Sequence, residues 1–142
     1  MRQGYTLVEM AIVLGIAGLV MSLTAPRIGD LMDRLAVERA ASRVTTGLAV
    51  ARSRAVLETT RARLTLGSDS LRVDIWQDEA WAPVARWPGP ESDGVTFSAS
   101  NPVVTFDALG LAWGLSNTTI QLSRRSHTAT ITASRLGRIK RA

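Results

Sequence analysis

The sequence predicts an α+β fold: one long N-terminal helix packed along its second half on antiparallel β-sheet. Three observations predict it. Residues 5–25 form an apolar run broken by a single charge, Glu9. Residues 27–57 alternate apolar and charged positions at helical spacing. From Arg61 the apolar period becomes two.

The first run, Tyr5 to Ala25, is long enough to cross a bilayer core, which takes about 20 helical residues. A lone carboxylate inside such a run costs a few kcal/mol in lipid, so Glu9 is expected to meet a partner. Ala11, Gly15, Gly18 and Ser22 recur at spacings of three and four and give one face where another helix can approach closely. A cleaved secretory signal is the competing reading. Its best cleavage point, after Ala25, has Leu23 where a small residue is wanted and Pro26 directly behind it. Pro26 lacks a backbone donor and is expected to kink or weaken the helix.

Beyond Pro26, Ile28, Leu31 and Leu35 begin a stripe that Val37, Ala41, Val44, Leu48, Ala51 and Ala55 continue. Charged residues occupy the other positions, and Arg34 and Glu38 stand four apart, where they can pair. The helix is predicted from about Thr6 to Leu57.

Arg61–Leu66 and Leu71–Trp76 alternate around the turn Gly67–Ser70, the pattern of a β-hairpin. Trp81–Trp87 is a third strand, restricted to an edge by Pro83. The Pro- and Gly-rich stretch Trp87–Gly94 is a loop. Val95–Ser98 and Val103–Phe106 are short strands. Thr118–Leu122 and Thr128–Thr132 pair around Arg124-Arg125-Ser126. Trp76, Trp81, Trp87, Phe97, Phe106 and Trp113 are expected to fill the core.

The chain has 142 residues, no cysteine and a net charge of +5. Disulfides, thiolate metal sites and cysteine nucleophiles are thereby excluded. The charge is uneven. Residues 1–107 hold 11 basic and all 12 acidic side chains, whereas residues 108–142 hold 6 basic and no acidic ones. An acidic middle and a basic tail suit head-to-tail packing with like modules or contact with a polyanion. No catalytic constellation is present: His127 is the single histidine, and no G-x-S-x-G elbow, phosphate loop or dinucleotide fingerprint occurs. Asp74, Asp78 and Glu79 lack the spacing of a cation loop. The expectation is a non-enzyme without cofactor or metal.

Gly4, Tyr5 and Glu9, ahead of the hydrophobic helix, resemble the type IV prepilin N-terminus, in which a leader ends in Gly, an aromatic residue follows and Glu is fifth in the mature chain. Tyr5 departs from the usual Phe. The resemblance implies a leader over residues 1–4, a transmembrane and filament-core helix over 5–26, its amphipathic continuation over 27–60 and a β-rich domain over 61–142. It implies a type IV pilin-like fold, a prepilin peptidase that cuts after Gly4 and methylates the Tyr5 amine, and anchoring in inner-membrane lipid with the domain in the periplasm. A Glu9 carboxylate is then available to neutralise the cationic N-terminus of a neighbouring subunit in low dielectric, each charge offsetting the other's desolvation.

The C-terminal third, with Phe106-Asp107-Ala108-Leu109-Gly110 and the run Ala129 to Ile139, is similar to the GspH/FimT family of minor pseudopilins. That similarity implies a final strand, a Gly-Arg turn and a short last strand. It implies assembly with other pilin or pseudopilin subunits in a type II secretion pseudopilus. The alternative is a type IV minor pilin that binds DNA for natural transformation. In the DNA-binding branch a terminal Gly-Arg-x-Arg makes the contact. Here it maps onto Gly137, Arg138, Ile139 and Lys140, with Arg141 following. Lys140 contacts phosphate as a point charge without the Arg fork. Arg124, Arg125 and Arg135 would extend the patch and give salt-sensitive binding.

Overall fold

The computed structural model describes residues 5–114 and 117–142, with residues 23–26 described as backbone. The expected leader, residues 1–4, lies outside the described residues. The chain divides into two compact units, Met1–Asp33 and Arg34–Ala142.

Helix α1 runs from Leu7 to Leu57, and its assignment continues through Pro26. It begins as a capping box begins. Thr6 precedes the first turn, and its Oγ1 accepts the backbone N–H of Glu9 at 3.3 Å. Glu9 also sits in the first turn, where the helix dipole favours a carboxylate. The apolar side chains of the first unit are turned outward: Leu7, Ile12, Leu14, Leu19 and Met21 are all exposed.

In the second unit, Ala36, Val37, Ala40, Ala41, Val44, Leu48, Ala51 and Ala55 form the buried face of α1. Ile28, Leu31 and Leu35, expected to start this stripe, are exposed instead. The buried set is dominated by alanine, which brings the helix close to the strands. A Cβ on Gly47 would stand 3.1 Å from Leu64 Cδ1.

The described strands form two antiparallel sheets. The first has the order β3-β2-β1-β5-β6, from β1 (Ala62–Leu66), β2 (Ser70–Gln77), β3 (Ala80–Pro88), β5 (Val103–Phe106) and β6 (Ala112–Trp113). The second has the order β4-β7-β8-β9, from β4 (Thr96–Ala99), β7 (Thr118–Arg124), β8 (His127–Ala133) and β9 (Ile139–Arg141). The predicted hairpin pairs Leu66 with Leu71 and Ala62 with Ile75. Strand β3 lies at an edge, as Pro83 requires, and its register with β2 shifts at Val73/Asp74, opposite that proline. Leu64, Leu71, Val73, Val104 and Phe106 of the first sheet join Ile120, Leu122 and Ile131 of the second in one core with the helix alanines.

Only part of the aromatic set enters that core. Phe106 is fully buried, and Trp87 and Phe97 pack partly against it. Trp76, Trp81 and Trp113 do not fill it. They alternate with the inward residues Ile75, Ala82 and Ala112, so they stand on the outer face of the first sheet.

Candidate functional site

Two regions were expected to carry function, the N-terminal stretch and the basic tail. In the first, Gly4 lies outside the described residues. Tyr5 is exposed, and Glu9 lies in the first turn of α1. No cation among the described residues lies within ion-pair distance of the Glu9 carboxylate. Thr6, whose hydroxyl caps this turn, was missed by the sequence reading although Thr-x-x-Glu ahead of an apolar run is a legible signal.

The tail is built around two tight turns. Asp107 Oδ1 accepts the N–H groups of Leu109 and Leu111, each at 2.9 Å, and closes the loop after β5. After β8, the N–H of Gly137 bonds to the Ser134 carbonyl, and Ser134 Oγ accepts the Arg138 N–H. Both turns need a left-handed residue, Gly110 at φ 75° and Gly137 at φ 71°. They touch through those glycines: a Cβ on Gly137 would fall 2.1 Å from the Gly110 carbonyl oxygen. Arg52 of α1 donates from Nε to that same oxygen at 3.1 Å. Arg52 therefore holds both turns against the helix, a role the sequence reading did not assign.

The fold separates the basic residues. Arg124 and Arg125 stand at the β7–β8 turn, with Arg124 opposite His127. Arg135 and Arg138 stand at the far end of β8. Seven residues of strand intervene, a span of about 20 Å. Arg124 is partly buried and donates to the Asp93 carbonyl, supporting the turn Pro90–Asp93. Arg141 forms an ion pair with Glu38 of α1, which takes the place of the expected Arg34–Glu38 pair. Lys140 is exposed opposite Thr132 on β9. Arg135, Arg138 and Lys140 have no carboxylate partner among the described residues. The tail thus offers three solvated cations, not a continuous patch of six.

Three acids of the middle are matched within the domain. Asp93 pairs with Arg43 of α1. Asp74 is buried and accepts from Arg63 Nε at 2.9 Å and Arg72 Nε at 3.0 Å. Asp69 reaches Arg86 at 3.8 Å.

The family model for the type II transport protein GspH matches residues 40–137. The chain belongs to the GspH family. Members of this family are structural pilin and pseudopilin subunits rather than enzymes. The match runs from Ala40, on the buried face of α1, to Gly137, and so stops before Arg138 and strand β9.

Solved structures share the fold. The type IV minor pilin FimU of Pseudomonas aeruginosa aligns with a TM-score of 0.66 and 19% identity, over 78% of this chain and 90% of that one. The minor pseudopilin EpsH from the type 2 secretion system of Vibrio cholerae aligns with a TM-score of 0.61 and 12% identity, over 75% and 95%. No curated protein matches the sequence significantly. At these identities the likeness carries the fold of a type IV pilin or pseudopilin and not a choice between them. Among the described residues, one helix, α1, is long and apolar enough to cross a membrane. With the family, that helix fits a single-pass inner-membrane protein with a periplasmic domain.

Proposed function

We propose that this GspH-family chain is a minor pseudopilin that enters the type II secretion pseudopilus and supports protein export as a structural and assembly subunit. The observation that carries the reading is the exposed apolar first half of α1 with Glu9 in its opening turn, attached to a domain of the GspH family. In this reading prepilin peptidase cuts after Gly4 and methylates Tyr5. The helix is first solvated by inner-membrane lipid and then by neighbouring subunits. Glu9 accepts the charge of a neighbour's new N-terminus, an exchange favourable in low dielectric because neither ion stays unpaired. The test combines N-terminal sequencing of the mature protein with Glu9→Ala. The mature chain should begin at Tyr5, and the variant should be processed yet fail to enter the fibre. A start at Met1 or normal incorporation of the variant rejects the reading.

The second reading is a type IV minor pilin that binds DNA. The three solvated cations Arg135, Arg138 and Lys140 favour it, since side chains without internal partners are the ones available to phosphate. Titration with double-stranded DNA at two salt concentrations tests it. Binding should weaken with salt and fall further in Arg138→Ala with Lys140→Ala. Absence of binding at low salt rejects it.

A further inference from the structure

The outer face of the first sheet carries a row of side chains running across the strands. Trp81 of β3 faces Trp76 of β2, with ring centroids 5.2 Å apart and planes at 70°. The Arg61 guanidinium, just before β1, lies 5.0 Å from the Trp76 ring and 5.5 Å from the Trp113 ring. In the strand order β2-β1-β5-β6 these two rings approach Arg61 from opposite sides. Arg63 covers Trp81 at 4.3 Å.

The arginines of this face differ in one respect. Arg63 and Arg72 share Asp74, and Arg86 reaches Asp69. Arg61 has no carboxylate partner among the described residues. Two indoles fix its orientation, so its N–H groups are held in place before any ligand arrives, which lowers the entropic cost of binding. Trp113 beside it is 64% exposed. It also lines a cleft with Asp107, Leu111, Leu136 and Arg135. Arg135 likewise has no carboxylate partner among the described residues. The surface therefore combines an apolar floor with the Arg61 guanidinium, which no carboxylate offsets, while Asp107 stands in the same cleft as Arg135 and is engaged by the Leu109 and Leu111 N–H groups.

We propose that this surface is a docking site for a segment of a partner protein in which a carboxylate side chain adjoins an apolar one. The apolar residue seats against Trp113, Leu111 and Leu136, and the carboxylate takes the Arg61 fork. The Arg61 fork is complementary in charge and shape to a carboxylate, and the covered indoles disfavour single-stranded nucleic acid. The indole faces on which bases would stack are taken up by Arg61 and Arg63. The proposal does not depend on which fibre the chain serves.

The test uses the full chain in detergent micelles and a blocked peptide alternating aspartate and leucine, followed by calorimetry and tryptophan fluorescence. The peptide should bind, and its asparagine counterpart should bind at least tenfold more weakly. Arg61→Lys keeps the charge but loses the fork and should weaken binding about tenfold, as should Trp113→Ala. Arg86→Lys should leave it unchanged. Circular dichroism confirms that each variant is folded, and Arg61→Lys alone suffices if Trp113→Ala is not. The proposal is overturned by absence of binding at millimolar peptide, by equal affinity for the asparagine peptide, by insensitivity to Arg61→Lys, or by an oligothymidylate that binds in an Arg61-dependent manner.

Discussion

Replacing Gly137 by alanine tests how the two turns of the tail are held. Gly137 has φ 71°, a conformation that costs an alanine about 1 kcal/mol. The added Cβ would also stand 2.1 Å from the Gly110 carbonyl oxygen. That oxygen cannot retreat easily. It accepts Arg52 Nε at 3.1 Å, and the Gly110 N–H is bonded to the Asp107 carbonyl at 2.9 Å. Relief requires the turns to part and the Arg52 bond to lengthen, a loss of about 1–2 kcal/mol with the partly buried donor left unpaired. The expected destabilisation is about 3 kcal/mol. Gly94→Ala is the matched control. Its φ of 64° carries similar strain, but the new Cβ meets only the flexible end of Arg124, at 3.0 Å. It should cost about 1 kcal/mol. Urea unfolding of the full chain in detergent, followed by tryptophan fluorescence, should separate the midpoints by about 1 M. Equal midpoints would refute the reasoning, because they would show that the contact with Gly110 contributes nothing beyond backbone strain.

Other substitutions address the core and the ion pairs. Phe106→Ala should destabilise by about 3–5 kcal/mol in the same unfolding assay, since the ring is fully buried where helix and sheets meet. Asp74→Ala should cost about 2–3 kcal/mol, because it strips the shared acceptor from Arg63 and Arg72 beside a buried site. Asp69→Ala should change stability by less than about 0.5 kcal/mol, as its pair with Arg86 is long and exposed on both sides. Arg141→Ala should cost under about 1 kcal/mol, a loss that 0.5 M salt should largely remove from the comparison.

Periodicity made most of the elements legible. Alternation located the β1–β2 hairpin and the β7–β8 pair, because one face of each strand is buried. Pro83 placed β3 at an edge through its missing donor. The onset of the buried helix face was not legible. Ile28, Leu31 and Leu35 are as apolar as Val37 and Val44, and only the tertiary structure tells which of them meets a strand. The tryptophans misled for a similar reason. Trp76, Trp81 and Trp113 alternate in the correct register for strands, but hydrophobicity alone does not say that Arg61 and Arg63 will cover them on the outer face. The division into two sheets, and the two-residue strand β6, depend on long-range pairing that no local pattern carries.

At the tail, Gly137 and Arg138 marked a turn correctly. The sequence did not reveal that Arg124 and Arg141 are engaged with Asp93 and Glu38, partners 31 and 103 residues away. Charge counting treats every arginine as equal, whereas the fold commits some to internal contacts and leaves Arg135, Arg138 and Lys140 to the solvent. The sequence signals at Tyr5 and Glu9 are local, and so is that of Thr6, whose hydroxyl caps the same turn.

The outer edge of the first sheet has a consequence for assembly. Strand β3 is nine residues long and would otherwise offer a neighbouring molecule a continuous template for backbone pairing. Pro83 removes a donor from its middle, and the register shift opposite Val73/Asp74 disturbs the even spacing of the groups that remain. Under the function proposed above, copies concentrated in one membrane would be discouraged from zipping together strand to strand, leaving the contact between helices on which that proposal rests.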